Sequence, residues 1–519
     1  MKNFLWLTVF LSFLLGIESL KVLIVVNIVG KSHLDFSSNL VDVLAQRGHI
    51  VDYVLLRLND VVELLVLIFG VLGYWMSKMP HLKDFFEKSP RTLFDLPHYY
   101  DMAYRACKLS MEDGRMLKYI KEGNYDIAIT SDYDFYATTL LRAAGIRSVA
   151  SFSPTPIFPH HLVSAGIPSP ASVFAGPMAG DHDGSLFDRV FHLLRSALYL
   201  YVDRPKQARE MNALARKHFG EDFPDVEEIS RDVNVIFVNS NEIIDKARPI
   251  SHKVKFIGGI QMQRPKPLPK EIEALLDLSS RGTVIFSFGT QVPTTRIPLE
   301  IRRNFVRAFR KFPDVTFLWK YDRMDDDFQL FENATNVHKL EWLPQTTLLQ
   351  DKRVIGFISH AGQNSYVETA AAGIPIIAIP LIVDQFYNAR NAVDKGIGIL
   401  IDKEELNESN LVVALDQLLN NPSYRQNATR LARMIRQKPD DPKEHFIEWV
   451  EYAAKNPAIH EVFNLPGNDM GPFKYYCVDV ILFLIFSLFL TVFVSWKLFS
   501  LVSVIANTRI RITKKEKLT

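Results

Sequence analysis

A chain of 519 residues is too long for one hydrophobic core and points to two domains of ordinary size with further segments attached. Its 60 lysines and arginines against 58 aspartates and glutamates leave a formal charge of +2, which argues against a nucleic-acid binder. Only two cysteines occur, Cys107 and Cys477, and the second stands beside a membrane-like segment, so a disulfide framework is excluded.

The chain opens with Lys2, an uncharged and mostly apolar stretch from Phe4 to Leu15, and the small residues Gly16 and Ser19. That is the pattern of a cleavable secretory signal over residues 1–19. A signal anchor is the rival reading, but the apolar stretch is short for a span. From Lys21 the run KVLIVVNI reads as a buried strand, VGKSH as a turn, and LDFSSNLVDVLAQRG as an amphipathic helix ended by Gly48. A second strand starts near Ile50, completing a βαβ opening. Gly30-Lys31-Ser32 imitates the end of a P-loop, yet Val25 stands where that loop needs a glycine, and the turn lacks the three glycines of a dinucleotide fingerprint. Neither ATP nor NAD is indicated, which weighs against a nucleotide-dependent oxidoreductase. The turn also holds His33, at the mouth of a parallel strand where functional residues of open α/β sheets gather, although a lone loop histidine is by itself a polar surface residue.

Residues 60–105 contain the apolar run VVELLVLIFGVLGYWM and then an aromatic-rich stretch around Phe94, Tyr99, Tyr100 and Tyr104. Glu63 and the short length speak against a span; a buried or membrane-surface helix lining a lipophilic pocket and plain core both stay open. YDIAITSDYDFY reads as a strand ending in Asp132 and Asp134, residues that ordinary turns also use. Beyond a Pro/Gly/Ser-rich loop to about Gly184 and a charged helical region come the strands VNVIFVNS and VKFIGGI. The proline-rich, basic QMQRPKPLPK then has the composition of an interdomain connection. GTVIFSFGT restarts the pattern, a buried strand ended by Ser287, Gly289 and Thr290; a helix to about Phe312 and the strand VTFLWKY follow.

The stretch Trp342 to Gln385 organises the second half. Val354 to Ser359 is a short, branched apolar strand closed by the turn HAGQNS; a helix begins at Asn364 and Ser365, ends at Gly373 and Pro375, and leads to a strand over Ile374 to Ile379. The first N–H groups of a helix lack partners and carry its positive dipole end, so an anion is favoured there. Small residues at Ala361, Gly362 and Ser365 would let a diphosphate approach the backbone, and His360 and Asn364 could add donors. The alternative is that Ser365 and Glu368 form only a capping box.

Sequons stand at Asn333, Asn407 and Asn427, glycosylation candidates behind a signal peptide. No charge appears from Val480 to Trp496, with Tyr475 and Tyr476 at one edge and Trp496 and Lys497 at the other. This reads as a transmembrane segment over 478–506 with its core at 480–496, about 25 Å long at ~1.5 Å per residue, enough for a thin bilayer such as the endoplasmic reticulum's. The tail 507–519 carries Arg509, Arg511, Lys514, Lys515 and Lys517 against Glu516, which places it in the cytosol, and Lys515 with Lys517 resembles a dibasic retrieval signal of the endoplasmic reticulum.

Trp342, Gln345, Ser359–His360, Gly362, Asn364, Ser365, Glu368, Gly373, Pro375, Pro380 and Asp384–Gln385, at these spacings, resemble the signature of the UDP-glycosyltransferase family, whose membrane-bound animal members include the UDP-glucuronosyltransferases. Ser32–His33 and Arg47–Gly48–His49 match the family's first turn and helix end. Many members have a second glycine where this chain has Ala361. The resemblance implies a two-domain GT-B α/β fold of Rossmann-like domains: residues 20–260 bind a small lipophilic acceptor, and residues 261–457 bind the UDP-sugar. It implies inverting transfer of a glucuronosyl or glucosyl group to an acceptor hydroxyl, and a role in detoxification. In it, His33 is the general base and His49 structural; Asp132 orients His33, with Asp134 in reserve. Trp342 stacks on uracil, Gln345 and Glu368 hold the ribose, His360, Asn364 and Ser365 hold the diphosphate beside Gly362, Ser287, Gly289 and Thr290, and Asp384 with Gln385 reads the sugar. No cofactor or metal is implied, since the donor is a co-substrate. The expected protein is a single-pass type I protein of the endoplasmic reticulum membrane with lumenal catalytic domains; a homo-oligomer stays open. A membrane-anchored UDP-sugar binder that has lost catalysis is the alternative.

Overall fold

The computed structural model describes residues 19–27, 31–56, 85–86, 97–131, 135–169, 185–262, 265–290, 292–322 and 329–516. The expected leader up to residue 18, the whole apolar run after residue 60, and both Asp132 and Asp134 lie outside the described residues.

Among the described residues, two six-stranded parallel sheets form the body. The first contains β1 (Lys21–Asn27), β2 (Ile50–Leu56), β3 (Ile127–Ser131), β4 (Val149–Ser153), β5 (Ile236–Val238) and β6 (Val254–Phe256), in the order β2-β1-β3-β4-β5-β6. The second contains β7 (Thr283–Ser287), β8 (Thr316–Lys320), β9 (Val337–Leu340), β10 (Val354–Ser359), β11 (Ile376–Ala378) and β12 (Gly398–Leu400), in the order β12-β11-β10-β7-β8-β9. Parallel strands need crossovers that cover both faces, which is why runs such as Val22 to Val26 and Val284 to Phe286 are apolar at every position and buried throughout. In each sheet the chain winds outward from a central strand and then returns to that strand's other side, between β1 and β3 and between β7 and β10. Such reversals open a crevice at the carboxyl ends of the strands, where ligands of open α/β sheets bind.

Helix α1 (Lys31–Arg47) connects β1 to β2, and it begins earlier than the sequence pattern predicts. His33 therefore sits in the first helical turn rather than in the loop before it. Gly48, at φ 104°, ends the helix in a conformation that side chains disfavour. The next crossovers that matter for the site are α2 (Gln363–Ala372), between β10 and β11, and α3 (Asp384–Asp394), between β11 and β12. The core of the second sheet is aromatic: Phe286 meets Phe305 and Trp319 at ring distances of 4.4 and 4.6 Å.

The sequence pattern assigns residues up to 457 to the second domain, yet helix α4 (Pro442–Lys455) packs into the first. Its apolar stripe of Phe446, Ile447, Val450 and Ala453 joins Val22, Ile24, Ile129 and Phe237 in one core. Ser148 donates to the Ala453 carbonyl at 2.8 Å, and buried His49 accepts from the Leu20 N–H while its Nε2 lies 3.2 Å from Glu451. Amphipathic spacing shows that a helix face must be buried but not which core buries it. Residues 464–519 form a separate unit, containing α5 (Val478–Glu516). Within Val478–Thr508 the most apolar window of 18 residues has a mean hydropathy of 2.6 and none of it is buried, enough length and apolarity to cross a membrane.

Phe446 is fully buried and meets Phe237 edge-on at 4.7 Å. Phe446→Ala is expected to cost about 3–5 kcal/mol. Chemical denaturation followed by a probe in the first domain should show a lower midpoint; an unchanged midpoint would mean that α4 adds nothing to that domain.

Candidate active site

Paired strands β7 and β10 end in register, Ser287 beside Ser359. Each serine turns the chain in the same way: Ser287 Oγ accepts from Gly289 N at 3.1 Å, and Ser359 Oγ accepts from Ala361 N at 3.2 Å. The two turns enclose the ring of His360. A side chain at Gly289 would place Cβ 2.8 Å from His360 Cε1, and one at Gly362 would place it 2.6 Å from Nε2, so both positions need glycine for the imidazole to fit. Burial lowers the His360 pKa to about 4, opposed by a hydrogen bond with the Ser287 backbone, and the ring is neutral at physiological pH. Thr290 is exposed at the rim.

Ala361 adopts φ 59°, the left-handed region in which glycine carries no steric penalty. Its tight surroundings hold it there: it is fully buried against Ala378 and Ala389, and its carbonyl accepts from Asn388 Nδ2 at 3.0 Å. The alanine thus keeps the turn at a cost of about 1 kcal/mol relative to glycine.

Helix α2 starts at Gln363, one residue before the pattern predicts, and its N-cap is Gly362, which offers no side-chain acceptor. The capping-box alternative fails, because Ser365 is the third helical residue and its Oγ accepts from Gln345 Nε2 at 3.2 Å. One terminal N–H is partnered: Gln363 N donates to Asp384 Oδ2 at 3.1 Å, an oxygen that also accepts from Asn388 Nδ2 at 3.1 Å. Burial raises the Asp384 pKa to about 6 against these lowering bonds. Val383, immediately before it, is held at φ 48°, an outlier for a β-branched residue. Gln385 is buried, and its Oε1 accepts from Leu381 N at 2.8 Å and Ile382 N at 3.0 Å. Its carbonyl closes the loop, so any contact it makes with a ligand comes from its amide NH2.

Glu368 is buried one turn along the same helix, and burial raises its pKa. Its oxygens accept from Gln345 Nε2 at 2.8 Å and Thr346 Oγ1 at 3.0 Å. The site thus joins Gln345, Ser365 and Glu368 in one hydrogen-bonded group. Trp342, on the loop between β9 and the short helix Gln345–Leu349, is 62% exposed, a flat apolar surface open to solvent.

The first domain contributes at its own carboxyl edge. His33 is half-buried, its carbonyl accepts from Ser37 Oγ at 2.8 Å, and burial lowers its pKa to about 4. The segment after β5 reaches across to α2: Asn239 Nδ2 donates to Asn364 Oδ1 at 2.7 Å, Gln363 Nε2 donates to the Asn239 carbonyl, and Tyr366 donates to the Ile244 carbonyl at 3.1 Å. A buried Arg248–Asp245 ion pair at 3.1 Å, both bonded to Tyr387, continues this seam. Sequence reasoning did not single out Asn239, Gln363 or the Asn388 bridge. Asn239 could have been found by the rule that drew attention to His33, since it directly follows a parallel strand.

The sequons differ in setting. Asn333 is exposed; Asn407 caps a helix by accepting from Asn410 N at 3.0 Å; half-buried Asn427 donates to the Gly396 carbonyl at 3.1 Å.

The model of the family described as UDP-glucoronosyl and UDP-glucosyl transferase matches residues 71–515. The chain is 29% identical to ugt-47 of Caenorhabditis elegans, whose name places it among UDP-glucuronosyltransferases, over 92% of each chain. It is 28% identical to UDP-glucosyltransferase 2 of Dactylopius coccus over 73% of this chain and 72% of that one. Human UDP-glucuronosyltransferase 1A10 is 26% identical over 77% of this chain and 74% of its own length. In fold, the chain is similar to the glycosyltransferase of kitacinnamycin, with a TM-score of 0.58 at 17% identity over 84% of this chain and all of that one. It is similar also to spinosyn forosaminyltransferase SpnP, with a TM-score of 0.56 at 17% identity over 85% and 100%. With its two parallel-sheet Rossmann-like domains in the GT-B arrangement and an apolar C-terminal helix suited to anchor it in a membrane, the chain belongs to the UDP-glucuronosyl and UDP-glucosyl transferase family and is a UDP-glycosyltransferase.

Proposed function

We propose that this transferase moves a glucuronosyl or glucosyl group, with inversion at the anomeric carbon, to the hydroxyl of a small lipophilic acceptor, using His33 as general base. The observation that carries this reading is the seam in which Asn239, at the carboxyl edge of the first sheet, touches Asn364 at the start of α2 in the second. It sets the ligand crevices of the two sheets against each other, so that an acceptor held on one can meet a donor held on the other.

In this reading Trp342 stacks on uracil, Gln345 and Glu368 take the ribose hydroxyls, and the diphosphate lies at the α2 N-terminus among Gly289, Gly362, His360, Asn364 and Ser365. Fixed donors and the helix dipole favour the diphosphate as it gains charge on departure of the sugar. Asp384 accepts from sugar hydroxyls and Gln385 donates to them. A hydroxyl is a weak nucleophile at neutral pH, so a base must take its proton as the new bond forms. Burial keeps His33 in the unprotonated form that this requires. Asp132, the residue after Ser131 in the sequence, is the partner that would hold the imidazole tautomer, with Asp134 in reserve. The leader, the α5 span and the basic tail together support lumenal catalytic domains in the endoplasmic reticulum membrane. Exposed Asn333 is the sequon best placed to carry a glycan.

Trp342→Ala should weaken UDP binding by about one to two orders of magnitude, the value of one aromatic–base stack. An unchanged calorimetric Kd removes Trp342 from the pocket. Protease added to sealed microsomes should trim only the basic tail; digestion of the large domain would reverse the topology.

His33→Ala should leave UDP affinity nearly intact and lower transfer ~10²–10⁴-fold. The pH profile separates the partner from the base. A carboxylate beside the ring favours the imidazolium and raises the pKa of His33, whereas burial alone holds it at about 4. The acid limb of kcat should therefore move to lower pH in Asp132→Asn than in the wild type, with residual activity reduced. A limb unmoved by Asp132→Asn but lowered by Asp134→Asn would transfer the role to Asp134, and full activity in His33→Ala would end the mechanism.

A further inference from the structure

We infer that Asn239 is a positioning residue for the donor site: it fixes the rotation of the Asn364 carboxamide so that the NH2 of Asn364 is the end left for the diphosphate. The inference rests on the reading of Asn364 as a diphosphate contact, and it adds a first-domain residue to a site otherwise built from the second.

The orientation follows from a chain of donors and acceptors. Asn239 is fully buried, and its backbone is held by its N–H, which donates to the Ser153 carbonyl at 2.9 Å. Its Nδ2 lies 2.9 Å from the Pro154 carbonyl and 2.7 Å from Asn364 Oδ1. A peptide carbonyl can only accept, so the Asn239 atom facing Pro154 must be the amide nitrogen. That nitrogen then spends its second hydrogen on Asn364, and the Asn364 atom facing it must be the oxygen. Turning either carboxamide over would set two acceptors or two donors against each other. Among the described residues the Nδ2 of Asn364 has no hydrogen-bond partner, and Asn364 is the second residue of α2, where N–H groups lack partners within the helix.

The contact is reciprocal. Gln363, the first residue of α2, is buried and donates through Nε2 to the Asn239 carbonyl. One first-domain residue thus engages both leading side chains of the helix, accepting from one and donating to the other. Asn239 also connects this helix start to Ser153 and Pro154 at the end of β4, so a shift of the first sheet's carboxyl edge is transmitted to the orientation of Asn364.

The test is a double-mutant cycle on full-length protein in detergent, read as UDP affinity by calorimetry, with Asn239→Asp, Asn364→Ala and their combination. A carboxylate at 239 accepts only, so the Asn364 amide would turn its NH2 toward it and present its oxygen to the diphosphate. Each single variant should weaken UDP binding about tenfold, the scale of one hydrogen bond to a charged group. In the Asn364→Ala background, Asn239→Asp should add less than about twofold, because the group it misorients is gone. Asn239→Ala, which removes the donor without adding a charge, goes through the same cycle, so that a carboxylate variant that fails to fold leaves the test in place. Equal losses in both backgrounds would make Asn239 merely part of the domain seam and overturn the inference. UDP affinity lost in Asn364→Ala but retained in both Asn239 variants would overturn the inference alone. Affinity unchanged in Asn364→Ala would overturn the diphosphate reading and this inference with it.

Discussion

The site depends on a helix that begins without a side-chain cap. Gly362 precedes Gln363 and supplies no side-chain acceptor, so the leading N–H groups of α2 need partners from elsewhere. Asp384 provides one from the next crossover, and the local architecture keeps the rest of the end accessible to an anion. The two serine-closed turns after β7 and β10, the glycines on either side of His360, and the strained Ala361 all bring backbone close to that helix end. A capped helix on the same sheet would be more stable in isolation and would have less affinity for a diphosphate. Strain at Ala361 and Val383 is the other expression of this trade, held in place by the buried Asn388 that bonds both the Ala361 carbonyl and Asp384.

Burial acts on two histidines with the same sign and different consequences. Both His33 and His360 are pushed to about 4, so both rings are neutral where an exposed imidazole would be partly charged. In the first turn of α1, neutrality leaves the His33 ring a nitrogen lone pair, which the proposed base role requires. At the second sheet the ring is packed between glycines and bonded to the Ser287 backbone, so it shapes the turn and places a polar surface beside the helix end. The lowered pKa, common to both rings, therefore does not by itself assign a role to either.

The alternation of apolar runs with helical patterns made both parallel sheets legible, because a strand buried on two faces must be apolar at every position. The strand–turn–helix around His360 was legible for the same reason, and residues Trp342 to Gln385 are contiguous enough that their spacing itself carries information. The boundaries were less so. Helix α1 begins at Lys31 and α2 at Gln363, because the first turn of a helix needs no apolar residue to form. The return of Phe446 and Val450 to the first core, and the pairing of Asn239 with Asn364, join residues more than 100 positions apart along the chain. Local periodicity contains no signal for contacts of that range. Gln385 shows the same limit at the level of one side chain, since nothing nearby in sequence reveals that its carbonyl is committed to Leu381 and Ile382.

These long-range contacts also explain why the two halves of the site are encoded so differently. A diphosphate can be held by backbone N–H groups and small residues, which one strand–turn–helix supplies from a single stretch of sequence. Bringing a second substrate to it requires another sheet edge at a defined distance and angle. That geometry comes from α4 packed under the first sheet and from the polar seam of Asn239, Gln363, Tyr366 and the Arg248–Asp245 pair. The apolar packing of α4 is broad and non-directional, whereas the seam consists of directional bonds among mostly buried groups. Because an unpaired buried donor or acceptor costs about 1–3 kcal/mol, the seam strongly disfavours small rotations of one sheet edge against the other. The start of α2 and the relation between the two sheets are therefore set by the same few bonds.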